Sequence, residues 1–190
     1  MKRVLKFTLI MICGLIWLPT LAQDDNTETY EFMDSSVTIT FPSKWKLTEA
    51  DDGHINLSTN NFNVQAYDSI ALTNAFDFKS ADSVEDALIE LAPQLLGNTA
   101  EFDEDAIILE GNMARFATNV DDDTITIMVV LMSDGTFGIL QSTSPEDETL
   151  SNETILMDIL ATFNSAGGGG LSLNLDSLDL SNVFCNVSTS

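Results

Sequence analysis

Four strand-like runs in the second half of the chain are separated by turns of only two or three residues. The turns are Gly111-Asn112, Asp121-Asp122-Asp123 and Ser133-Asp134-Gly135, and the runs cover residues 106–110, 113–120, 124–132 and 136–142. Gly, Asn, Asp and Ser are the residues that tight turns favour. Parallel strands need a crossover of about a dozen residues or more, so these connections allow only antiparallel neighbours. The pattern predicts a four-stranded antiparallel meander.

Shorter strands precede this meander. Residues Val37 to Phe41 alternate apolar and hydroxyl side chains at period two, as a strand with one buried face does, and Pro42 follows them. Two further runs, 54–58 and 62–68, flank Asn60-Asn61, which predicts a hairpin between them.

Two segments instead show helical spacing. Apolar residues recur at steps of three and four between residues 84 and 95, after a capping-box-like start at Ser83 and before a stop at Gly97. Pro93 lies in the last turn, where we expect the helix to bend or end early. A closing helix is predicted from Leu156, Ile159, Leu160 and Phe163, with Ser151 as its cap. Strands and helices together predict an α+β fold in which helices flank an antiparallel sheet.

The first 22 residues have the pattern of a signal peptide. Lys2, Arg3 and Lys6 precede a 12-residue apolar stretch, and small residues at Thr20 and Ala22 favour cleavage after Ala22. An uncleaved membrane anchor is the alternative, although the stretch is shorter than the ~20 residues that span a bilayer. We therefore predict a secreted or extracytoplasmic protein, in the periplasm or at the cell surface, without a membrane span after cleavage.

The predicted organisation after the leader is a flexible lead-in at 23–28, a folded domain at 29–166, and a glycine linker with a low-complexity tail at 167–190. The tail alternates leucine with polar residues, so it is either disordered or adds a strand to a sheet edge. Cys13 is lost with the leader and Cys185 remains alone. No internal disulfide is then possible, and Cys185 either links two chains or is inert.

The charge excludes one class of partner. The chain has 30 acidic and 7 basic residues, a net charge of −23, which becomes −26 when the leader takes away three basic residues and no acidic ones. A nucleic-acid-binding protein needs several Lys or Arg residues on one face. We therefore expect no nucleic-acid partner, and we attribute the acidity to solubility outside the cell.

The order of these elements resembles the PsbP-like superfamily, which includes an extrinsic photosystem II subunit and a Ran-binding protein. The resemblance covers about residues 29–166, and its most specific element is the strand with the Pro-x-x-Trp turn that follows it. The matching segments are 30–32, 37–47, 83–86, 109–114 and 155–163. The resemblance implies an antiparallel sheet packed between helices, an α/β/α sandwich, and a role other than catalysis.

No catalytic or zinc-binding constellation is evident in the sequence. His54 follows Asp51-Asp52-Gly53, which would suit a base and its orienting acid, but no Gly-x-Ser-x-Gly motif is present. We interpret His54 as a surface histidine beside a turn. Zinc sites draw on several His or Cys ligands, and the chain after the leader offers only His54 and Cys185. The glycines at 167–170 lack the lysine of a phosphate-binding loop.

Three further features have both a structural and a functional interpretation. Trp45 is interpreted as a core residue, with a ligand contact as the alternative. Arg115 either receives a partner's carboxylate or pairs with an acid on its own sheet. Asn119, Asp121 and Asp123 alternate like the first ligands of an EF-hand loop, but Thr124 and Val130 occupy the glycine and glutamate positions. A solvated hairpin tip is therefore favoured over calcium, as it is for Asp103-Glu104-Asp105.

The sequence favours an exported, non-catalytic domain that binds or supports another extracytoplasmic protein, with no cofactor, no metal and no assigned site residue. Two alternatives stay open. One is a weakly calcium-responsive acidic module, and the other is a hydrolase that uses carboxylates not yet identified, because two carboxylates suffice for glycoside hydrolysis.

Overall fold

The computed structural model describes residues 26–33 and 35–165. The predicted signal peptide, the first three residues of the predicted lead-in, the glycine linker, the tail and both cysteines lie outside the described residues. Within the described part of the chain, no helix is long and apolar enough to cross a membrane.

The described residues form ten strands and three helices. The helices are α1 (Ser69–Phe76), α2 (Val84–Leu96) and α3 (Thr149–Leu160). The strands are β1 (Thr27–Glu31), β2 (Val37–Pro42), β3 (Lys46–Glu49), β4 (Ile55–Ser58), β5 (Asn63–Tyr67), β6 (Ile108–Glu110), β7 (Met113–Val120), β8 (Asp123–Leu131), β9 (Phe137–Pro145) and β10 (Asn164–Ser165). They form a three-stranded sheet, β1-β2-β10, and a seven-stranded sheet, β3-β4-β5-β9-β8-β7-β6.

The predicted meander is confirmed as β6, β7, β8 and β9, each antiparallel to the next. Its first strand begins at Ile108 rather than at residue 106, because Glu104–Ala106 form a 3-10 turn. The predicted hairpin at Asn60-Asn61 is present between β4 and β5, closed by a hydrogen bond from the Thr59 N–H to the Phe62 carbonyl.

The seven-stranded sheet separates two hydrophobic cores. In β8, Ile125, Ile127 and Val129 point to the core that contains α1 and α2, because alternate residues of a strand face opposite sides. Met128 and Val130 point to the core that contains α3 and the three-stranded sheet. The α+β class, with helices on both sides of an antiparallel sheet, is therefore confirmed, and the three-stranded sheet is a second sheet that the sequence did not predict.

Helix α1 was not predicted. It has eight residues, of which only Ala71 and Leu72 are buried, so its apolar periodicity is too short to recognise. Its ends show why it forms: the Asp68 side chain accepts a hydrogen bond from the Ala71 N–H at 2.8 Å, and Asp77 ends it with a left-handed backbone at φ 52°.

The two predicted helices are present with small changes. In α2, the Ser83 hydroxyl accepts a hydrogen bond from the Asp86 N–H at 3.1 Å, as expected of its cap, and the helix continues past Pro93 to Leu96. Helix α3 begins at Thr149, two residues before Ser151.

The boundary of the flexible lead-in was also misplaced. Thr27 and Glu28 belong to β1, where they pair with Pro42 and Phe41 of β2. The folded part therefore begins at least two residues before Thr29. The pairing with β2 explains why a polar, weakly strand-like segment is ordered.

Candidate functional site

A cleft of about 430 Å³ opens on the side of the large sheet that carries α2, just beyond the end of that helix. Among residues 26–33 and 35–165, the lining is mostly polar and contains no basic residue. It consists of three amides, two hydroxyls, two carboxylates and two aliphatic side chains: Asn63, Gln65 and Gln141; Thr99 and Thr143; Asp121 and Asp123; Val120 and Ile125.

The cleft lies where the apolar face of the sheet becomes polar. Directly opposed residues of antiparallel strands share a face. The row of Tyr67, Ile139 and Val129 is buried in the core with α1 and α2. In the next row, Gln65 opposes Gln141, and one row further Asn63 opposes Thr143. Because α2 ends before these rows, polar side chains can line the sheet there without the cost of full burial.

Hydrogen bonds hold two of the amides in defined orientations. The Gln141 Nε2 donates to the backbone carbonyl of Leu95, in the last turn of α2, at 3.2 Å. The Gln65 Nε2 donates to the Asn56 Oδ1 at 3.2 Å, and the Tyr67 hydroxyl donates to the Gln65 Oε1 at 3.2 Å. These amides therefore present fixed atoms to the cleft.

The same chain of hydrogen bonds continues to His54. The Asn56 Nδ2 lies 3.3 Å from the His54 Nε2, and the His54 Nδ1 lies 2.5 Å from the Asp52 Oδ1. These two contacts hold the imidazole ring by both of its nitrogen atoms. The side chains of His54 and Asn56 thus link Asp52, in a turn, to Gln65 in the lining of the cleft.

The interpretation of His54 as a surface histidine is wrong. Its ring stacks on Tyr67 at 4.6 Å between centroids, and its side chain is only 13% exposed. The tightly bound Asp52 and the buried Tyr67 ring explain this burial. Neither hydrogen-bond partner of His54 supplies a hydroxyl or thiol nucleophile, so this pair lacks the third member of a nucleophilic triad.

Burial also affects Tyr67. Desolvation, followed by the nearby charge of Asp52, raises the pKa of the Tyr67 hydroxyl to about 12. The neutral, hydrogen-bonding form of this tyrosine is therefore favoured in the folded chain.

Arg115 does not pair with an acid on its own sheet, as one sequence interpretation proposed. Its Nη1 contacts the Glu153 Oε1 of α3, on the face opposite the cleft, and the two side chains are 6% and 10% exposed. Burial lowers the pKa of the Arg115 guanidinium, and the charge of Glu110 opposes this shift. The pair joins α3 to β7 and is not available to a ligand.

The EF-hand-like triad is not assembled. Asn119 points to the α3 side, where its Nδ2 donates to the Glu146 Oε1 at 3.0 Å, whereas Asp121 and Asp123 line the cleft on the other side. In the described residues no group of three or more His, Cys, Asp or Glu side chains could hold a metal ion. At the second acidic segment, the Asp103 carboxylate accepts from the Asp105 N–H at 3.0 Å, in a local turn. The calcium-responsive alternative therefore has no site in this part of the chain.

Trp45 lies at the rim of the α3-side core rather than inside it. It is half-buried and packs edge-to-face on Phe62, with 5.2 Å between ring centroids.

The outer edge of the large sheet exposes apolar side chains. In β6, Ile108 is 37% and Leu109 is 52% exposed. Strand β6 pairs with β7 on one side and has no strand partner on the other among the described residues. The exposed acids Asp103, Glu104 and Asp105 lie just before it in the chain, separated from it by two residues.

Sequence reasoning missed the cleft, although a signal was present. In β9, Phe137 and Ile139 are followed on the same face by Gln141 and Thr143, a change from apolar to polar that marks where the helix cover ends. The partner strand shows the same change from Tyr67 to Gln65.

No protein-family model matches the chain, and comparison with curated protein sequences finds no match either. Among solved structures, the chain is similar to a cyanobacterial PsbP from Synechocystis, with 10% identity and a TM-score of 0.48, over 83% of this chain and 99% of that one. It is also similar to the Ran-binding protein Mog1p of Saccharomyces cerevisiae, with 11% identity and a TM-score of 0.49, over 74% of this chain and 95% of that one. Both of these neighbours have the PsbP-like fold. The likeness concerns the fold alone.

Proposed function

We propose that this chain is an exported, non-catalytic domain that binds another extracytoplasmic protein along the edge strand β6. The observation that carries the proposal is the exposure of Ile108 and Leu109 on the outermost strand of the large sheet. An open strand edge offers backbone N–H and C=O groups to which an extended segment of another protein can pair. The pattern of residues 1–22 supports export.

The surroundings of β6 define the chemistry of the partner. Leu109 opposes Ala114 and Ile108 opposes Arg115, so the two exposed side chains lie on opposite faces of the sheet. A paired segment with alternating apolar residues would therefore cover both of them. Because three exposed acids precede β6, we infer a partner segment flanked by Lys or Arg residues.

Two observations favour binding over catalysis. Among the described residues, the hydrogen-bond partners of the His54–Asp52 pair include no nucleophile. Asp121 and Asp123 both line the cleft, but they lie only two positions apart in the chain, where the turn after β7 leads into β8. Glycoside hydrolysis places its two carboxylates on either side of the scissile bond. Neither of these two arrangements therefore supports the hydrolase alternative.

The test is affinity capture from the producing cell with the wild-type chain and two edge variants, quantified by mass spectrometry. Leu109→Lys places a charge on the proposed docking strand, and we expect it to lower recovery of the partner at least tenfold. Thr48→Lys places the same charge on the exposed strand β3, at the opposite edge of the same sheet, and should not lower recovery.

Equal recovery with both variants would refute docking at β6. Thermal unfolding of the two variants serves as the control for folding, because surface substitutions of this kind change the free energy of unfolding by ~0.5 kcal/mol or less.

A further inference from the structure

We propose that the cleft beyond α2 binds an alkylguanidinium or alkylammonium group, a positive charge carried on a short apolar stem. This inference is independent of the proposed docking at β6, because the cleft is built from β5, β7, β8 and β9 and the residues after α2. Its volume of about 430 Å³ lies in the range of clefts that hold small ligands.

The first argument is the balance of hydrogen-bond donors and acceptors. Gln141 donates its Nε2 to the Leu95 carbonyl, so its Oε1 is left as an acceptor. Gln65 donates to Asn56 and accepts from Tyr67, which fixes its amide and uses one of its two N–H groups. After these internal bonds, the amides retain more acceptor than donor capacity, which favours a ligand rich in N–H groups.

The second argument is charge. Asp121 and Asp123 line the cleft and form no ion pair among the described residues. No Lys, Arg or His of the described part of the chain lines the cleft, so an anion would meet two carboxylates without compensation. A guanidinium or ammonium group instead gains charge-assisted hydrogen bonds to carboxylate oxygens.

The third argument is the apolar part of the lining. Val120 and Ile125 stand in the same cleft as the two carboxylates. Long cationic side chains bury their methylene stems on apolar surface while the charged end stays polar. The mixed lining therefore fits an alkyl stem that ends in a cation. A small inorganic ion fits it less well, because such an ion gains nothing from aliphatic contacts.

The experiment is isothermal titration calorimetry of the folded chain with butylguanidinium and with butylurea, its uncharged isostere. We expect butylguanidinium to bind and butylurea to bind at least tenfold more weakly. Asp121→Asn and Asp123→Asn should each weaken butylguanidinium binding about fivefold, because each removes one carboxylate charge. The Asp121 backbone has φ 55°, a left-handed conformation that asparagine also tolerates, so this variant retains the fold.

The matched control is Asp122→Asn, which makes the same charge change in the same turn. Asp122 does not line the cleft and lies instead beside Glu146 and Asp147. We expect this variant to bind butylguanidinium like the wild type. Absence of binding, equal binding of butylurea, or an equal loss in Asp122→Asn would each overturn the proposal, the last because it indicates only diffuse attraction to an acidic surface.

A second ligand distinguishes the sources of such a group. The peptide acetyl-Gly-Arg-Gly-amide carries the same cation on a backbone. Tighter binding of this peptide than of butylguanidinium supports an arginine side chain of a partner protein, whereas weaker binding supports a free small cation. If capture through β6 fails and butylguanidinium still binds, the cleft proposal stands without the proposed docking strand.

Discussion

The two faces of the seven-stranded sheet use polar residues in opposite ways. On the face that carries α1 and α2, the polar residues Gln65, Gln141 and Thr143 stand beyond the helix cover and line an open cleft. On the other face, Arg115 of β7 is buried beneath α3 and contacts the buried Glu153 of that helix. Polar side chains of the sheet thus line an accessible cleft on one side and take part in a buried ion pair with a helix on the other.

The difference shows that residue type alone does not indicate a site. Arg115 has the chemistry of a ligand-binding residue, but its neighbour in α3 neutralises it. Gln141 carries only an uncharged amide, but it is accessible because α2 ends beside it. Whether a polar residue of the sheet is accessible to a ligand depends on where the helix above it ends. A polar group that a helix covers needs an internal partner, and one that no helix covers does not.

The largest effect should come from the buried pair. Glu153→Ala leaves the Arg115 guanidinium buried without its partner, and we expect the free energy of unfolding to fall by about 3 to 5 kcal/mol. Denaturant unfolding followed by circular dichroism measures this change.

The double variant Arg115→Met with Glu153→Leu is the control for the buried pair. It replaces both charges by apolar groups of similar volume and should be close to the wild type in stability. A loss in the double variant as large as in Glu153→Ala would show that packing, rather than the unpaired charge, explains the effect.

Tyr67 should make the α1 and α2 side sensitive to alkaline pH. Its pKa of about 12 is above the ordinary value of 10, so the neutral hydroxyl stabilises the fold fully below pH 10. This stabilisation is lost as the pH rises from 10 to 12. We expect the wild type to lose about 1 to 2 kcal/mol more of its free energy of unfolding over that range than Tyr67→Phe.

The comparison of unfolding curves at pH 9 and pH 12 measures this difference. Tyr30, whose pKa is also raised to about 12, is present in both chains and cancels from the difference. If the free energy of unfolding falls equally in the two chains between pH 9 and pH 12, the fold does not favour the neutral form of Tyr67.

Gln141→Leu should separate binding from stability. It removes the hydrogen bond to Leu95, which contributes about 1 kcal/mol, and it removes an acceptor from the cleft. We expect a small loss of stability together with a loss of butylguanidinium binding of about fivefold or more. Thermal unfolding and calorimetry on the same sample measure both, and unchanged binding would remove Gln141 from the proposed site.

The smallest effect on stability is expected at the edge of the sheet. Leu109→Lys exchanges a side chain that is 52% exposed, so the free energy of unfolding should change by ~0.5 kcal/mol or less. A larger loss would indicate that Leu109 packs in the core, and would weaken its role as a docking residue.

Strand periodicity and turn chemistry were enough to predict the meander, because short turns leave antiparallel pairing as the only choice. The same reasoning could not place α1, whose eight residues are held by the Asp68 cap rather than by an apolar stripe. It also could not predict two sheets. The pairing of β10 with β2, which helps to form the second sheet, joins residues more than 120 positions apart in the chain.

The candidate site was less predictable than the fold. The sequence indicates that Asp121 and Asp123 lie at a turn. It does not indicate that they lie on the opposite face of the sheet from Asn119, because this depends on which residues of β7 and β8 pair with each other. His54 was misjudged because a single imidazole beside a turn does not reveal its stacking on Tyr67, thirteen positions later in the sequence. Contacts of this kind follow from the register of paired strands and not from local composition.

The most direct test of the difference between the two faces is a titration of the isotope-labelled chain with butylguanidinium, followed through its side-chain amide signals by nuclear magnetic resonance. We predict that the signals of Gln65 and Gln141 shift with increasing ligand while that of Asn152, on α3, stays in place. Shifts at Asn152 equal to those in the cleft, or no shifts at all, would contradict the assignment of an open binding face and a closed structural one.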